Sequence, residues 1–308
     1  MELDAYRGEL IAYCYRMSGS FHDAEDLVQE TMLRAWRARD RYDESRASVR
    51  TWLYRIATNV CLSALDGRSR RPLPSGLGAA STEPDAPLTP ALDVPWLEPF
   101  PDARVDLARR DDLRLAFIAA VQLLPPRQRA ALLLREVLAF TAAEVAAQLD
   151  TSVAGVNSAL QRARATLADA PDSNDVRESD DLQSRVVVDR YLRAFEAADV
   201  PALVRLLTDD AILEMPPVPL WYRGRDDYAA FMRRVFDLRG SGWATTSLSA
   251  NGQPAFAAYA PDGSGQLTLH TVQVLTVVDG AVSRNVVFAD PRVFEVFDLP
   301  RIAAGTRI

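Results

Sequence analysis

The sequence predicts a multi-domain chain: two all-α helical domains, the second closing in a helix-turn-helix, followed by a C-terminal α+β domain. Three observations predict it. Apolar residues recur at helical spacing through residues 1–72 and again through 103–171. Between them the pattern collapses into Pro, Gly, Ala and acids, and beyond residue 182 helical periods give way to alternating strands. At 308 residues, with 48% hydrophobic and 25% charged side chains, the chain has core enough for two or three domains.

Residues 1–72 read as consecutive amphipathic helices with turns near Ser18-Gly19 and from Asp40 through Tyr42, Asp43 and Glu44. In FHDAEDLVQETMLRAW, Asp26, Gln29, Glu30 and Leu33 fall at i, i+3, i+4 and i+7 and share one face. Ala24, Leu27, Val28, Thr31 and Ala35 form the opposite, buried face. Carboxylates beside an uncovered leucine suit a docking surface, with a solvated helix face as the alternative. In TWLYRIATNVCLSALDGRSRR the core face is Leu53, Ile56, Ala57, Val60 and Ala64, and Trp52, Arg55 and Asn59 lie together on the other side. An aromatic, a guanidinium and an amide, followed by Arg68, Arg70 and Arg71, can stack on an unpaired base, read its edge and hold phosphates. The alternative makes Trp52 core and Asn59 a cap.

Residues 73–102 are an acidic, Pro-rich linker, flexible or extended. Its segment VPWLEPFPD is too aromatic for a spacer, so Trp96–Phe100 is expected to dock on the C-terminal domain or the first helical one. Within 103–171, Thr141 to Glu144 form a capping box opening a short helix through Leu149; Asp150, Thr151 and Ser152 make the turn, and a second helix runs from Val153 to Leu167. Val153, Val156, Leu160, Ala163 and Leu167 form its core face. The remaining face carries Asn157, Ser158, Gln161, Arg162 and Arg164: amides that pair with base edges and guanidiniums that neutralise phosphates.

A second acidic linker, 172–181, leads to residues 182–308. There, helices over 184–197 and 201–207, the latter with Pro201 near its start, precede a strand (AILEM), a helix near Asp226–Phe236, and alternating strands ending in AVSRNVVFAD. This is an α+β pattern with a curved antiparallel sheet wrapped on helices.

Composition excludes several classes. No apolar run is long enough to span a bilayer, and MELDAYRGEL lacks the basic-then-apolar order of a signal peptide, so no membrane contact and a cytoplasmic location are expected. The two cysteines, Cys14 and Cys61, sit in helical patterns and read as small core residues. With no CxxC or HxxxH spacing, a metal site built from them and His22 is rejected, and no metal or cofactor is expected. All 35 cationic side chains are Arg, and the net charge of −7 is segregated. Ten arginines face four acids in 31–72 and nine face seven in 103–171, whereas acids exceed arginines by five in each of 1–30, 73–102 and 172–308. Two basic blocks on an otherwise acidic chain suggest two local polyanion contacts.

In order and separation, FHDAEDLVQETMLRAW, SVRTWLYRIATNVC, LPPRQRAALLLREV and VAGVNSALQRARATL together resemble a bacterial extracytoplasmic-function sigma factor. The resemblance implies that 1–72 is sigma region 2 and 103–171 is sigma region 4, and that the partners are core RNA polymerase, through its β′ clamp and β subunits, and promoter DNA. Asp26, Gln29, Glu30 and Leu33 would bind the β′ coiled coil, whose exposed arginines suit carboxylates. Trp52, Arg55 and Asn59, with Arg68, Arg70 and Arg71 following and the loop Asp43–Val49 beside them, would act at the −10 element. Asn157, Ser158, Gln161, Arg162 and Arg164 would act at the −35 element, and the acidic linker would thread the channel where RNA later exits.

Residues 182–308 resemble the SnoaL-like cone, the fold of polyketide cyclases and ketosteroid isomerase. Glu214, Tyr222, His270, Arg284 and Asp290 are polar residues that could line its pocket. Catalysis would need a carboxylate such as Asp290 near His270 or Tyr222. A cone that regulates the sigma domains, by contacts or by a bound small ligand, is favoured over an isomerase or cyclase, since fold does not imply activity. The chain is therefore expected not to be an enzyme.

Overall fold

The computed structural model describes residues 3–104, 113–169 and 181–303. Of the expected second linker, 172–181, all but residue 181 lies outside the described residues. The chain forms two compact units. One takes in the described residues up to Arg71 and those from Leu97 to Asp169; the other takes in Pro72–Trp96 and the described residues from Asp181 onward.

The helical unit begins with α1 (Arg7–Ser18), α2 (Phe21–Ala38) and α3 (Val49–Leu65). Gly19, at φ +74°, ends α1 in the left-handed conformation that glycine adopts without a Cβ penalty. One residue on, Ser20 Oγ accepts from Asp23 N at 3.1 Å and caps α2. Ser48 caps α3 in the same way through Thr51 N. From Leu10 through Ser18, α1 is buried throughout, so α2 and α3 form their core around it. Cys14 and Cys61 are both buried with free thiols 3.7 Å apart, and Tyr13 Oη shares a 2.8 Å hydrogen bond with Thr58 Oγ1.

The second half contains α4 (Leu115–Val121), α5 (Pro126–Leu132), a π-helical turn Leu133–Val137, α6 (Ala142–Gln148) and α7 (Val153–Ala168). The capping box is present: Thr141 Oγ1 accepts from Glu144 N, and Glu144 Oε2 accepts from Thr141 N at 2.8 Å. A Cβ at Gly155 would lie 2.5 Å from Thr151 Oγ1, so glycine lets α7 close onto its own turn. Val156, Leu160 and Ala163 are buried as expected, but Val153 is 45% exposed because it opens the helix at its solvent end. Arg129 is buried in this half, and its guanidinium donates to Val121 O, Gln122 O, Gln122 Oε1, Leu124 O and, from α1, Met17 O.

The same unit holds the second part of the linker. Phe100 packs on Tyr15 and Phe21 with ring centroids 4.9 and 5.3 Å away, and Glu98 N donates to Gly19 O at 3.0 Å. Docking of this aromatic segment on the helical unit follows the expectation for Trp96–Phe100; Trp96 itself belongs to the other unit, where its Nε1 donates to Ala91 O.

That unit is a cone of α8 (Asp181–Glu196), α9 (Val200–Val204), β1 (Leu207–Met215), β2 (Val218–Arg223), α10 (Arg225–Arg239), β3 (Ala244–Ala250), β4 (Gln253–Pro261), β5 (Leu267–Val278), β6 (Ala281–Phe288) and α11 (Pro291–Val296). The sheet runs β2-β1-β6-β5-β4-β3. It is mixed, not purely antiparallel as expected: β1 pairs parallel with β6, with Leu213 opposite Asn285. Alternation along a strand reports which face is buried but not which neighbour it pairs with, so periodicity cannot reveal the parallel pair. Tyr191, Phe195, Phe236, Trp243 and Phe256 fill the core beneath the sheet.

Residues 72–96 lie extended on this unit and are bonded to it throughout. Ser81 N donates to Trp221 O at 2.8 Å and Ala91 N to Pro217 O at 2.9 Å, covering the β2 edge that the sheet would otherwise expose. Trp221 Nε1 donates to Gly78 O, Tyr222 Oη to Glu83 O, and Arg234 Nη1 to both Pro84 O and Ala86 O.

Candidate functional site

The stripe on α2 is where the helical period places it. Asp26, Gln29 and Leu33 are exposed and Glu30 half-buried, while Ala24, Leu27, Val28, Thr31 and Ala35 are buried. Glu30 is tied to Arg34 one turn on, at 2.6 Å, whereas Asp26 is exposed and pairs with no cation among the described residues. Leu33, 41% exposed, sits among these polar groups as an apolar contact.

On α3 the expected trio is brought together. Arg55 and Asn59 are exposed and Trp52 is half-buried against Tyr42, with ring centroids 5.1 Å apart. Trp52 is thus neither fully core nor free. The basic tail is partly neutralised: Arg68 and Arg71 both reach Asp23 Oδ2, at 3.3 and 2.9 Å, and Arg71 lies 3.8 Å from Glu98. Arg70 is exposed.

Helix α7 presents Asn157, Ser158, Gln161, Arg162 and Arg164 to solvent, with Arg164 bound to Glu136 at 2.8 Å. The trio on α3 faces the same half of the unit. Arg55 Nη2 lies 3.4 Å from Oδ1 of Asp150, the turn residue held at φ +47°. A cleft of about 540 Å³ runs between the loop before α3 and α6, lined by Tyr42, Asp43, Trp52, Arg55, Glu144 and Gln148. Gln148 is buried, and neither of its amide atoms finds a hydrogen-bond partner among the described residues. Arg50 stacks over Tyr54 and Phe140, and those two rings meet edge to face at 5.3 Å. Asp150 and Gln148 escaped the sequence reading; the only trace of Asp150's role is an acid in a turn that tolerates left-handed backbone.

Inside the cone a cavity of about 260 Å³ opens under the sheet, lined by Leu213, Met215, Phe231, Met232, Trp243 and His270 among others, with Leu88 of the linker at its wall. Its surface is mainly apolar and, among the described residues, includes no carboxylate. Of the five expected pocket residues, His270 lines it; burial, with help from Arg239, pushes its imidazole down to about 4, so it is neutral at pH 7. The other four are placed elsewhere. Glu214 is fully buried, ion-paired with Arg284 at 3.2 Å and bonded to Ser75 of the linker by N at 3.1 Å and Oγ at 3.2 Å. Tyr222 stacks on Phe231, and Asp290 caps α11 through Arg292 N while pairing with the Arg292 guanidinium at 2.8 Å. Beside the cavity, Asn285 Nδ2 lies within hydrogen-bond distance of Tyr191 Oη, Tyr228 Oη and Gln273 Oε1, which share its two protons. Burial raises both phenols, Tyr228 up to about 12, so the network is uncharged.

No group of His, Cys, Asp and Glu suited to a metal occurs among the described residues, and no described helix is long and apolar enough to cross a membrane.

Residues 3–71 match the sigma-70 region 2 family, 114–167 the sigma-70 region 4 family, and 188–285 the SnoaL-like domain family. Regions 2 and 4 in one chain define a sigma factor, which binds RNA polymerase and directs it to promoters. The chain is 47% identical over 312 residues to the ECF RNA polymerase sigma factor SigG of Mycobacterium tuberculosis, covering 96% of this chain and 82% of that one. To SigJ of the same species it is 28% identical over 312 residues, and the SigJ crystal structure matches with a TM-score of 0.69 at 26% identity, covering 97% of this chain and 99% of that one. The chain belongs to the extracytoplasmic-function RNA polymerase sigma factors, and it carries a SnoaL-like C-terminal domain.

Proposed function

We propose that α2 is the polymerase handle, α3 the −10 reader, α7 the −35 reader, and the cone a non-catalytic regulator of a factor that works in the cytoplasm beside core polymerase. The observation that carries this reading is the sorting of α2: its apolar stripe is buried and its acidic stripe with Leu33 is left open. Asp26, Gln29, Glu30 and Leu33 would meet arginines of the β′ clamp, and the β subunit completes the core contact. Trp52, Arg55 and Asn59 would take an unpaired −10 base, with Arg68, Arg70 and Arg71 on phosphates. Asn157, Ser158 and Gln161 would read −35 base edges, while Arg162 and Arg164 hold backbone. The apolar lining of the cavity, with no carboxylate among its described residues, and the engagement of Asp290 by Arg292 favour regulation over isomerase or cyclase chemistry.

Promoter engagement on this reading requires the helical unit to open. The −10 and −35 elements lie about 25 base pairs apart, on the order of 85 Å at ~3.4 Å per base pair. Arg55 and the helix-turn-helix residue Asp150 are 3.4 Å apart. The contact is weak enough to part: an exposed ion pair contributes about 0.2–1 kcal/mol, and the orphaned Gln148 amide is a cost that opening to water relieves.

The test uses the full chain and core enzyme. Asp26→Arg with Glu30→Arg is expected to weaken core binding about tenfold or more, a change of about 1.4 kcal/mol; unchanged affinity overturns the handle. Asn157→Ala and Gln161→Ala are expected to relax preference at particular −35 bases, whereas Arg162→Ala lowers binding to all sequences alike. A uniform loss from all three removes the base-reading role.

A further inference from the structure

We infer that the cone cavity binds a small, mainly apolar molecule of one or two rings carrying a single uncharged or anionic hydrogen-bonding group, and that its occupancy loosens the linker through Leu88. This deepens the regulatory reading of the cone and is independent of the roles given to α2, α3 and α7.

Size and polarity set the ligand class. An apolar cavity of about 150 Å³ holds benzene, so a cavity of about 260 Å³ has room for a second ring and falls short of the ~300–1,000 Å³ of drug-sized sites. Polar groups line it sparsely, and two of them, Thr271 and Gln273, are already bonded to each other at 3.1 Å. His270 differs. Its ring touches Trp243, with centroids 5.5 Å apart, but it hydrogen-bonds to no described residue. A ligand hydroxyl or carbonyl can supply the missing partner. Arg239, also in the lining, disfavours a cation.

The coupling follows from where Leu88 is held. It contributes to the cavity wall yet is 40% exposed, and it lies between two fixed points of the linker: Ala86 O, accepting from Arg234, and Ala91 N, donating to Pro217 O. A molecule filling the cavity competes with Leu88 for the same apolar contacts. Displacing it strains both anchors, and these tie down the segment that joins the cone to the helical unit.

The experiment is a titration of the full-length protein with 1-naphthol, followed by isothermal calorimetry and by hydrogen exchange of peptides spanning residues 77–93. Saturable binding is expected, with faster exchange in those peptides and no change in α1–α3. 1-Naphthylmethylamine, the cationic analogue, is expected to bind at least tenfold more weakly. His270→Ala is expected to weaken 1-naphthol several-fold but to leave naphthalene unaffected, a difference that general loosening of the fold would not produce. Leu88→Ala, at an exposed position, is expected to keep or tighten binding and to accelerate linker exchange without ligand. No saturable binding up to 1 mM, binding that survives filling the cavity by Met232→Trp, or binding without any change in linker exchange overturns the inference. Core-polymerase binding measured in parallel separates the two readings: its loss would count against the sigma assignments and leave the cavity result standing.

Discussion

Arg129 in the helical unit and Arg284 in the cone are both buried, and the two are satisfied in different ways. Arg129 in the helical unit, 3% exposed, is surrounded by carbonyl oxygens from its own half and from Met17 of α1. Burial pushes it down only to about 10, so it stays charged at neutral pH. Arg284 in the cone, 8% exposed, pairs with Glu214, and that carboxylate is completed by Ser75 of the linker. A cation held by backbone carbonyls lets go only when the local fold does. A carboxylate completed by a hydroxyl and an amide from the linker can exchange them for water while the sheet stays intact. The helical unit is therefore built around a permanent lock and the cone around a releasable clasp.

The largest effect expected is at the lock. Arg129→Met orphans several buried acceptors at once, and a loss of about 3 kcal/mol or more is expected in the stability of the helical unit. Circular dichroism during denaturant unfolding checks it, and a change below ~1 kcal/mol would abolish the distinction between the units.

Acid separates them next. His270 has a folded value of about 4 against an ordinary ~6.5, so between these the unfolded chain binds a proton that the cone refuses. Its contribution is complete above pH 6.5, declines as pH falls toward 4, and changes no further below that. At about 1.4 kcal/mol per pH unit the loss is at most roughly 3 kcal/mol. Arg129 does not titrate in this range, so the cone's denaturation midpoint should fall between pH 7 and 4.5 more than that of the helical unit, and His270→Gln should remove the excess. An equal acid response in the variant would assign the effect to other groups.

The smallest effect is at the clasp. Ser75→Ala removes one hydrogen bond to Glu214, about 1 kcal/mol, and is expected to speed hydrogen exchange in the linker while β1 and β6 keep their protection. If the central strands lost protection equally, the clasp would be part of the sheet's own stability.

The helices were legible in the sequence because each turn writes its burial into the chain. The α2 stripe, the α3 trio and the Thr141 capping box all occupy the places that spacing assigns them. Strand β2 and the attachment of residues 72–91 were not legible, since an extended segment held through backbone groups leaves no side-chain period to read. The pocket was misjudged for a related reason. Polar residues near the strands read as cavity-lining, but Glu214 and Arg284 satisfy each other, Asp290 caps a helix, and the wall is made of leucine, methionine and aromatic side chains that look like ordinary core. Of the five residues expected there, His270 alone lines the cavity, and it hydrogen-bonds to no described residue.

Strand β6 lies between β1 and β5 in the middle of the sheet although it is the last strand among the described residues. Chains emerge from the ribosome N-terminus first, at about 5–20 residues per second, so β1 waits roughly 4–15 s for its parallel neighbour to be synthesised. Until then the sheet has no centre, and Glu214 on β1, which holds Ser75 of the linker, lacks its Arg284 partner. Every newly made molecule thus passes through an interval in which its helical unit is fully translated while the clasp between Glu214 and the linker still lacks its buried cation.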